Sequence, residues 1–215
     1  MVCTLGILAF SLTGCSNNDT FTEKRYLSGE NKIEKVTIQV ENRELEITES
    51  DDFQIHIDYF DSEKEYLDIS ISENNELIVK LLYDKNWTDY IGTKQPNEYR
   101  KINIKIPNNL INTLSATTTN NNLTLNSISC TKEINLDVNG GNIECRKVNV
   151  GKSINLKAKN GNITGSILGS YDDFSILCKI KKGSCNLPLN KIDGTKSLIA
   201  DCNNGDIKLE FIKYK

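Results

Sequence analysis

The sequence is poor in the residues that metal centres, flexible linkers and adaptable binding grooves use. Among 215 residues there are one histidine, one methionine, one tryptophan and three prolines. The lone histidine, His56, argues against a histidine-based metal site and against a Ser–His or Cys–His catalytic pair. Three prolines do not make a proline-rich linker, and one methionine does not line a binding groove. We therefore predict no catalytic residue, no cofactor and no metal site.

The chain also lacks a strong excess of either charge. It has 26 Lys and Arg against 29 Asp and Glu, a formal net charge of −3, so it carries no basic footprint for nucleic acid. No amphipathic helix of useful length is present. Abundant Ile, Leu, Val, Thr and Asn favour strands and turns. The length fits one domain, or at most two, and the composition predicts an all-β protein.

The longest apolar run covers residues 2–12. It is too short to span a membrane, which takes about 20 residues, and it is typical of the apolar part of a secretory signal. The run ends in Leu12-Thr13-Gly14-Cys15, which resembles the bacterial lipobox. The absence of Lys or Arg before the run departs from that pattern. The alternative is a buried N-terminal strand that ends in a chance Gly-Cys pair.

The lipobox resemblance implies that the chain is cleaved before Cys15 and that the Cys15 thiol is acylated. It divides the chain into a signal peptide at 1–14, a lipidated cysteine with a flexible tether at 15–32, and a folded domain at 33–215. The predicted partner is membrane lipid through Cys15, on the outer face of the bacterial cell membrane. One diacylated cysteine anchors a domain without spanning the bilayer.

Five cysteines remain in the folded part, and none has the C-x-x-C spacing of zinc sites and redox motifs. Most of them fall at positions that the repeat described below assigns to the core. We therefore expect buried free thiols that act as small apolar side chains. Disulfides are the alternative, because export would permit them. The five are Cys130, Cys145, Cys178, Cys185 and Cys202.

The C-terminal half repeats with a period of about 20 residues. Asn122, Asn142 and Asn162 each end a triplet rich in Asn and Gly, and Asn186 and Asp206 continue the row. Apolar residues alternate with polar ones on both sides of each triplet, as in strands with one buried face. Matching positions at a fixed period predict a single-domain β-solenoid. The turn asparagines should then form a ladder that joins each coil to its neighbours.

The fourth repeat is irregular. In this alignment it is four residues longer than the others, and we expect the extra residues, near 170–175, to form a loop. Lys182 falls in an inward position, where the strand either twists or lies near the rim. Leu189 and Ile192 fall in core positions. The alternative fold is an antiparallel β-meander sandwich with Asn-Gly hairpins, which does not require such matching positions.

The N-terminal half has strands of the same kind with a looser period. Alternation is clear at 53–57 and at 102–106, where the second segment stops at Pro107. This ending, followed by repeated turns of the Asn-Gly-Asn-Ile type, resembles the bacterial toast-rack family, often labelled "putative adhesin", over residues 33–212. The resemblance implies a β-solenoid or stacked two-sheet domain, exported or tethered to a membrane. It transfers no catalytic or binding residue.

Residues 83–99 form the longest irregular stretch and carry Tyr83, Trp87, Tyr90 and Tyr99. Aromatic residues on a loop can anchor a ligand. They can also cover the open end of a solenoid, which has to hide its apolar core from water. We prefer the second interpretation and keep the first open.

Three acidic pairs could serve glycoside chemistry or bind calcium. Because no acidic row repeats along the coils, we expect solvated surface groups or turn caps instead. His56 lies between Ile55 and Ile57 and should therefore face solvent. The acidic pairs are Asp51–Asp52, Asp172–Asp173 and Glu63 with Glu65.

These predictions together describe a non-enzymatic, lipid-anchored envelope protein whose adhesin-like domain binds a protein or a polysaccharide. The alternative is an accessory or sensor domain that contacts a neighbouring membrane protein through a patch near the tether. A carbohydrate-active solenoid enzyme is the third hypothesis, in which Asp172 or Asp173 would carry the activity.

Overall fold

Alternating apolar residues form eighteen β-strands in a computed structural model that describes residues 19–90 and 96–213. Three short 3-10 helices occupy Trp87–Tyr90, Asn97–Arg100 and Tyr171–Asp173. Within the described ranges no helix has the length and apolar character needed to cross a bilayer. The strands are β1 (Thr22–Leu27), β2 (Lys35–Gln39), β3 (Glu44–Glu49), β4 (His56–Asp61), β5 (Glu65–Ile71), β6 (Glu76–Tyr83), β7 (Lys101–Ile106), β8 (Thr113–Thr118), β9 (Leu123–Asn126), β10 (Ser129–Cys130), β11 (Glu133–Gly140), β12 (Ile143–Val150), β13 (Ser153–Asn160), β14 (Ile163–Leu168), β15 (Phe174–Lys182), β16 (Asn190–Lys191), β17 (Lys196–Asn204) and β18 (Ile207–Ile212).

The strands form two mixed sheets of nine strands each. The first sheet has the order β1-β4-β7-β3-β9-β12-β14-β18, with β10 beside β12. The second has the order β16-β15-β17-β13-β11-β8-β2-β6-β5. Because side chains alternate between the two faces of a strand, each sheet has one apolar face. A single cluster of buried aliphatic residues fills the space between these faces, which confirms the predicted all-β fold.

The C-terminal coils stack in parallel, one strand in each sheet per coil. Ile134 pairs with Ile154 in the second sheet, and Ile143 pairs with Ile163 in the first. All four side chains are fully buried. The predicted β-solenoid is therefore confirmed, and the antiparallel meander is wrong for these coils.

The turn asparagines form the predicted ladder. The Oδ1 of Asn122 accepts a hydrogen bond of 2.9 Å from the N–H of Asn142, whose own Oδ1 accepts one of 2.8 Å from Asn162. The Oδ1 of Asn162 in turn accepts one of 2.8 Å from Asp206, 44 residues further along the chain. Each side-chain oxygen thus satisfies a backbone donor of the next coil, at a turn where such donors would otherwise need water.

The last two repeats stack in reverse order. β17 pairs with β13, and β15 lies outside β17, so the sequential stacking that the repeat implies is wrong at this end. After its turn the fourth repeat joins the first sheet only through an isolated bridge, between Cys185 and Ile207, while β16 turns back to pair with β15. Pro188 follows and has no N–H to donate. A coil with one complete strand can end the stack but cannot continue it in both sheets.

The observed register of the fourth repeat differs by two residues from the alignment made on the sequence. Ser184, rather than Asn186, faces Asp206 and donates to its Oδ1 at 2.8 Å. Lys182 pairs with Asn204 at the turn and is exposed, so its predicted inward position is wrong. Cys178 and its neighbours two residues away supply the inward side chains of β15.

Because of this shift, the residues predicted in the core and in the loop of the fourth repeat also differ from those observed. Leu189 and Ile192 are 65% and 81% exposed, so their assignment to the core is wrong. The loop is shorter than predicted, because the helix Tyr171–Asp173 leads directly into β15. The first residue of that strand, Phe174, is fully buried.

The N-terminal end differs from the coils because its outer strands are antiparallel. β1 pairs with β4, which pairs with β7, and β5 pairs with β6. Residues 22–27 were expected in a flexible tether and instead form β1. The backbone and Oγ of Ser28 both bond to Ile55, which fastens the end of this strand. β4 begins at His56, so the prediction that a strand starts at Phe53 is wrong, and Phe53 is 87% exposed.

Candidate functional site

The predicted acylated residue, Cys15, lies outside the residues that the structure describes, as does the predicted signal peptide at 1–14. Both stay predictions. The described chain joins the fold through β1, the edge strand of the first sheet. We call the end of the stack formed by β1, β4 and β5 the proximal end. The opposite end, formed by β15, β16 and β18, is the distal end.

The aromatic residues of the irregular stretch lie at the proximal end and have two different environments. The Tyr99 ring stacks on Phe21 with 5.4 Å between centroids, and Phe60 meets Tyr99 edge-on at the same distance. Tyr99 therefore packs near the edge of the first sheet on the face turned away from the core, because Tyr59, the neighbour of Phe60 in β4, is the side chain that contacts the core. Covering of the open end by these aromatic residues stays a prediction. Trp87 is 75% exposed and remains open to a ligand. Residues 91–95 and the side chain of Tyr90 fall outside the description.

Ion pairs hold the first part of this stretch against the hairpin of β5 and β6. The Nζ of Lys64 lies 2.5 Å from Asp89 Oδ1, and the N–H of Asn86 donates to Asp89 Oδ2 at 2.9 Å. The hydrogen bond from Lys64, aided by that from Asn86, lowers the pKa of Asp89. The short helix that presents Trp87 is thus fixed by its own carboxylate.

A buried charge cluster lies beside it. The Glu65 carboxylate accepts hydrogen bonds from both Arg43 and Lys85, and the Arg43 and Glu65 side chains are 3% and 7% exposed. Burial opposes the charge on Glu65, but the hydrogen bonds from its two cationic partners outweigh burial and lower its pKa. The prediction of a surface acid is therefore wrong for Glu65. Glu65 precedes the buried Leu67 by two residues, and residues two apart in a strand share a face. This spacing was the sequence signal that indicated an inward side chain.

The other acidic pairs act in turns. His56 Nε2 lies 2.9 Å from the Asp52 carboxylate, and the N–H of Gln54 donates to Asp52 at 2.8 Å. The hydrogen bond from His56, followed by that from Gln54, lowers the pKa of Asp52 to about 2. His56 is partly exposed while its neighbours in sequence are buried, so its predicted orientation is confirmed.

Asp172 and Asp173 belong to a capping box. The Oγ of Ser170 accepts from the N–H of Asp172, and the Asp173 carboxylate accepts from the N–H of Ser170 at 2.8 Å. The Asp173 carboxylate is therefore a turn cap and Asp172 is an exposed surface residue, as predicted. Across the described ranges, no three His, Cys, Asp or Glu side chains come close enough together to hold a metal ion.

The five cysteines of the domain are free thiols, as predicted. Four are buried, and Cys185 is half-buried. Burial raises the pKa of Cys130 and of Cys145 to about 12. Because the thiolate is the reactive form, these two residues serve as small core side chains and not as nucleophiles.

An apolar cleft of about 260 Å³ opens at the proximal end, beside the segment that joins β1 to β2. Phe53 and Leu110, which are 87% and 48% exposed, form its apolar rim. Sequence reasoning missed this cleft because it placed Phe53 in a strand. The other lining residues are Ser28, Asn31, Lys32, Ile33, Glu34, Ile55, Pro107, Ile111 and Asn112.

Solved structures with a similar fold come from bacterial proteins. A "putative cell adhesion protein" from Clostridium sporogenes matches with a TM-score of 0.67 and 13% identity, over 90% of this chain and 100% of that one. A "putative adhesin" from Bacteroides fragilis is also 13% identical, over 90% and 97% of the two chains, with a TM-score of 0.38. The first match shows a shared fold. No curated protein sequence matches this chain significantly.

The family comparison agrees with the geometry. The sequence profile described as Toastrack DUF4097 matches residues 33–215, which include the parallel coils, the hairpin β5–β6 and most of the residues that line the cleft. The resemblance seen in the sequence is therefore confirmed. The chain belongs to the toast-rack DUF4097 family.

Proposed function

We propose that this chain is a lipid-anchored protein of the bacterial cell envelope, whose toast-rack domain binds a ligand at the surface without catalysing a reaction. The lipobox-like segment that ends at Cys15 supports the anchor. Membership of the toast-rack family, together with the Clostridium sporogenes protein of similar fold that is named a "putative cell adhesion protein", supports an adhesin-like role.

The observation that carries the proposal is the place where the chain joins the stack. β1 and β18 form opposite edges of the first sheet. Adjacent strands lie about 4.8 Å apart, so eight strands extend roughly 30 Å from one edge to the other. An anchor attached before β1 would hold the distal end away from the membrane. Both outer faces of the solenoid would then be open to a ligand.

Metabolic labelling with an alkyne fatty acid tests the anchor. We expect Cys15→Ala to abolish labelling and to release the folded domain from the membrane fraction. Cys3→Ala is the matched control, because it removes the other thiol of the N-terminal segment and should leave labelling unchanged. Equal labelling of wild type and Cys15→Ala would overturn the anchor.

A second candidate function is that of an accessory or sensor domain, which the cleft at the proximal end favours. Its rim residue Phe53 is 87% exposed and lies in the same cleft as Ser28, which follows β1. Exposed apolar patches mark sites of interaction with proteins or membranes. A neighbouring membrane protein could therefore dock here if the anchor holds this end at the bilayer.

Cross-linking in intact cells separates the two functions. In the accessory role, Phe53→Ser should remove a cross-link to a membrane protein that wild type makes. Ile192→Ser is the control at the distal end, where Ile192 is 81% exposed, and should keep the cross-link. An unchanged pattern in Phe53→Ser would exclude the accessory role at this cleft.

A further inference from the structure

The outer face of the second sheet is basic near the distal end, although the whole chain has a net charge of −3. The four strands β11, β13, β17 and β15 carry six lysines and three carboxylates. Lys157 lies 3.1 Å from Asp137 and so is paired. Four further lysines are exposed and have no carboxylate within ion-pair distance among the described residues. They are Lys159, Lys179, Lys181 and Lys182.

Two of these lysines belong to a row that crosses the strands along the axis of the stack. The parallel register aligns Asn139 of β11, Lys159 of β13, Asn203 of β17 and Lys181 of β15. We call these four residues the Asn–Lys row. Its side chains alternate between amide and ammonium groups, and neither amide has a hydrogen-bond partner in the described part of the chain. Three members of the row, Asn139, Lys159 and Asn203, line one side of a shallow depression of about 310 Å³, whose other side is formed by the neighbouring row that contains Asp137 and Asp201.

The strand spacing sets the distances between the charges of this row. Neighbouring strands lie about 4.8 Å apart, so Lys159 and Lys181, two strands apart, are separated by about 10 Å. The carboxylates on this face that are nearest to the row, Asp137 and Asp201, lie one row away along the strands, and Glu133 lies further from it. A ligand that follows the row therefore meets an ammonium group, an amide and a second ammonium group without meeting a carboxylate.

We propose that the Asn–Lys row binds a linear acidic polysaccharide that carries one anionic group on every second sugar. The distance between its lysines is close to the length of a disaccharide. The amide of Asn203 between them can donate to and accept from sugar hydroxyls. This inference rests on the proposed surface-binding function and names the class of its ligand. The row lies at the distal end, which favours an extracellular polymer over the membrane that would hold the anchor.

Binding of a fluorescent hyaluronate oligosaccharide, which has one carboxylate per disaccharide, tests the proposal. The full chain carrying Cys15→Ala is used, so that acylation contributes nothing. We expect Lys159→Gln combined with Lys181→Gln to weaken binding about tenfold or more at low salt. The control pair, Lys132→Gln with Lys152→Gln, removes two exposed lysines of neighbouring coils and should change binding by less than about twofold. Circular dichroism verifies that all variants are folded.

Three further measurements sharpen the result. Asn203→Asp places a carboxylate inside the row and should weaken binding more than Asn203→Ala does. Raising the salt from about 50 mM to about 500 mM should weaken wild-type binding strongly. Methyl-esterified hyaluronate, which keeps the sugars and loses the charge, should bind poorly.

Several outcomes would overturn the proposal. Equal losses in the two lysine pairs would mean that only overall charge matters. Equal binding of the esterified polymer would exclude recognition of charge. Binding to phosphatidylglycerol vesicles without binding to hyaluronate would make the face a membrane surface. None of these results depends on fatty-acid labelling of Cys15, so failure of the anchor and failure of this ligand class are distinguishable.

Discussion

The repeated coils and the proximal end of the molecule are stabilised by different interactions. In the coils, like side chains stack on like, and the ladder of Asn122, Asn142 and Asn162 bonds each turn to the next. At the proximal end no further coil follows among the described residues. There a charge cluster around Glu65 is buried, and the ring of Tyr99 stacks on Phe21 beside the outer strands. Repetition thus specifies the interior of this solenoid, whereas individual residues specify its end.

Replacing a glycine by alanine should give the largest difference in the free energy of unfolding between the two regions. Gly161 has a φ of +151°, and a Cβ there would lie 1.9 Å from the carbonyl oxygen of Gly141 in the coil beneath. We expect Gly161→Ala to lower the free energy of unfolding by about 3 kcal/mol or more, through backbone strain and overlap. Gly29, at the proximal end, also has positive φ (+61°) but no atom within 4 Å of a Cβ.

Gly29→Ala is therefore the control, and it should cost only about 1–2 kcal/mol, the strain of the left-handed conformation. Urea unfolding of both variants measures the difference. Equal costs would show that the coils are not packed as closely as the stack requires.

The buried charge cluster should give the next largest effect. Glu65→Gln leaves Arg43 and Lys85 without their carboxylate in a buried place, and we expect a loss of about 3 kcal/mol. The matched control is Glu144→Gln, which breaks an ion pair to Arg146 on the exposed face of a coil and should cost less than about 1 kcal/mol. Chemical denaturation compares them, and similar losses would contradict the assigned role of Glu65.

The same cluster predicts a dependence on pH. The pKa of Glu65 is lowered in the folded protein, so the unfolded chain binds its proton more tightly. Its contribution is complete above the unfolded pKa of about 4.3 and is lost as the pH falls through the folded value. Between about pH 6 and about pH 3, Tm should therefore fall more steeply in wild type than in Glu65→Gln. Parallel Tm curves would contradict this.

The smallest loss in the free energy of unfolding is expected for a substitution in the ladder of turn asparagines. Asn142→Ala removes the acceptor for the N–H of Asn162, and we expect a loss of about 1 kcal/mol. Asn142→Asp keeps an acceptor oxygen, as Asp206 does in the same row, and should lose less. Thermal unfolding measures both variants. A larger loss in Asn142→Asp would mean that charge repulsion, and not the hydrogen bond, governs this row.

The periodicity of the sequence allowed the coils to be predicted but gave no information about the structure of the two ends of the stack. Ile134 and Ile154 could be aligned because equal spacing and alternation act along the chain. The fourth repeat was misaligned because counting its extra residues as one insertion moved Ser184 two places from its true partner, Asp206. The place of Glu65 depends on Arg43, which is 22 residues away in sequence, and no local pattern reports such a pair. The Asn–Lys row required the strand order, which the sequence does not contain.

The reversed order of the last two coils constrains how this protein can fold. The chain makes β15 before β17, yet β17 occupies the place next to β13. Until β17 emerges, the free edge of β13 offers β15 the same parallel pairing and a similar set of apolar side chains. A molecule that accepted this early partner would have to release it again before the stack could be completed. Folding of the distal end therefore has to wait until β17 is available, and simple growth of the solenoid from its first coil to its last is excluded.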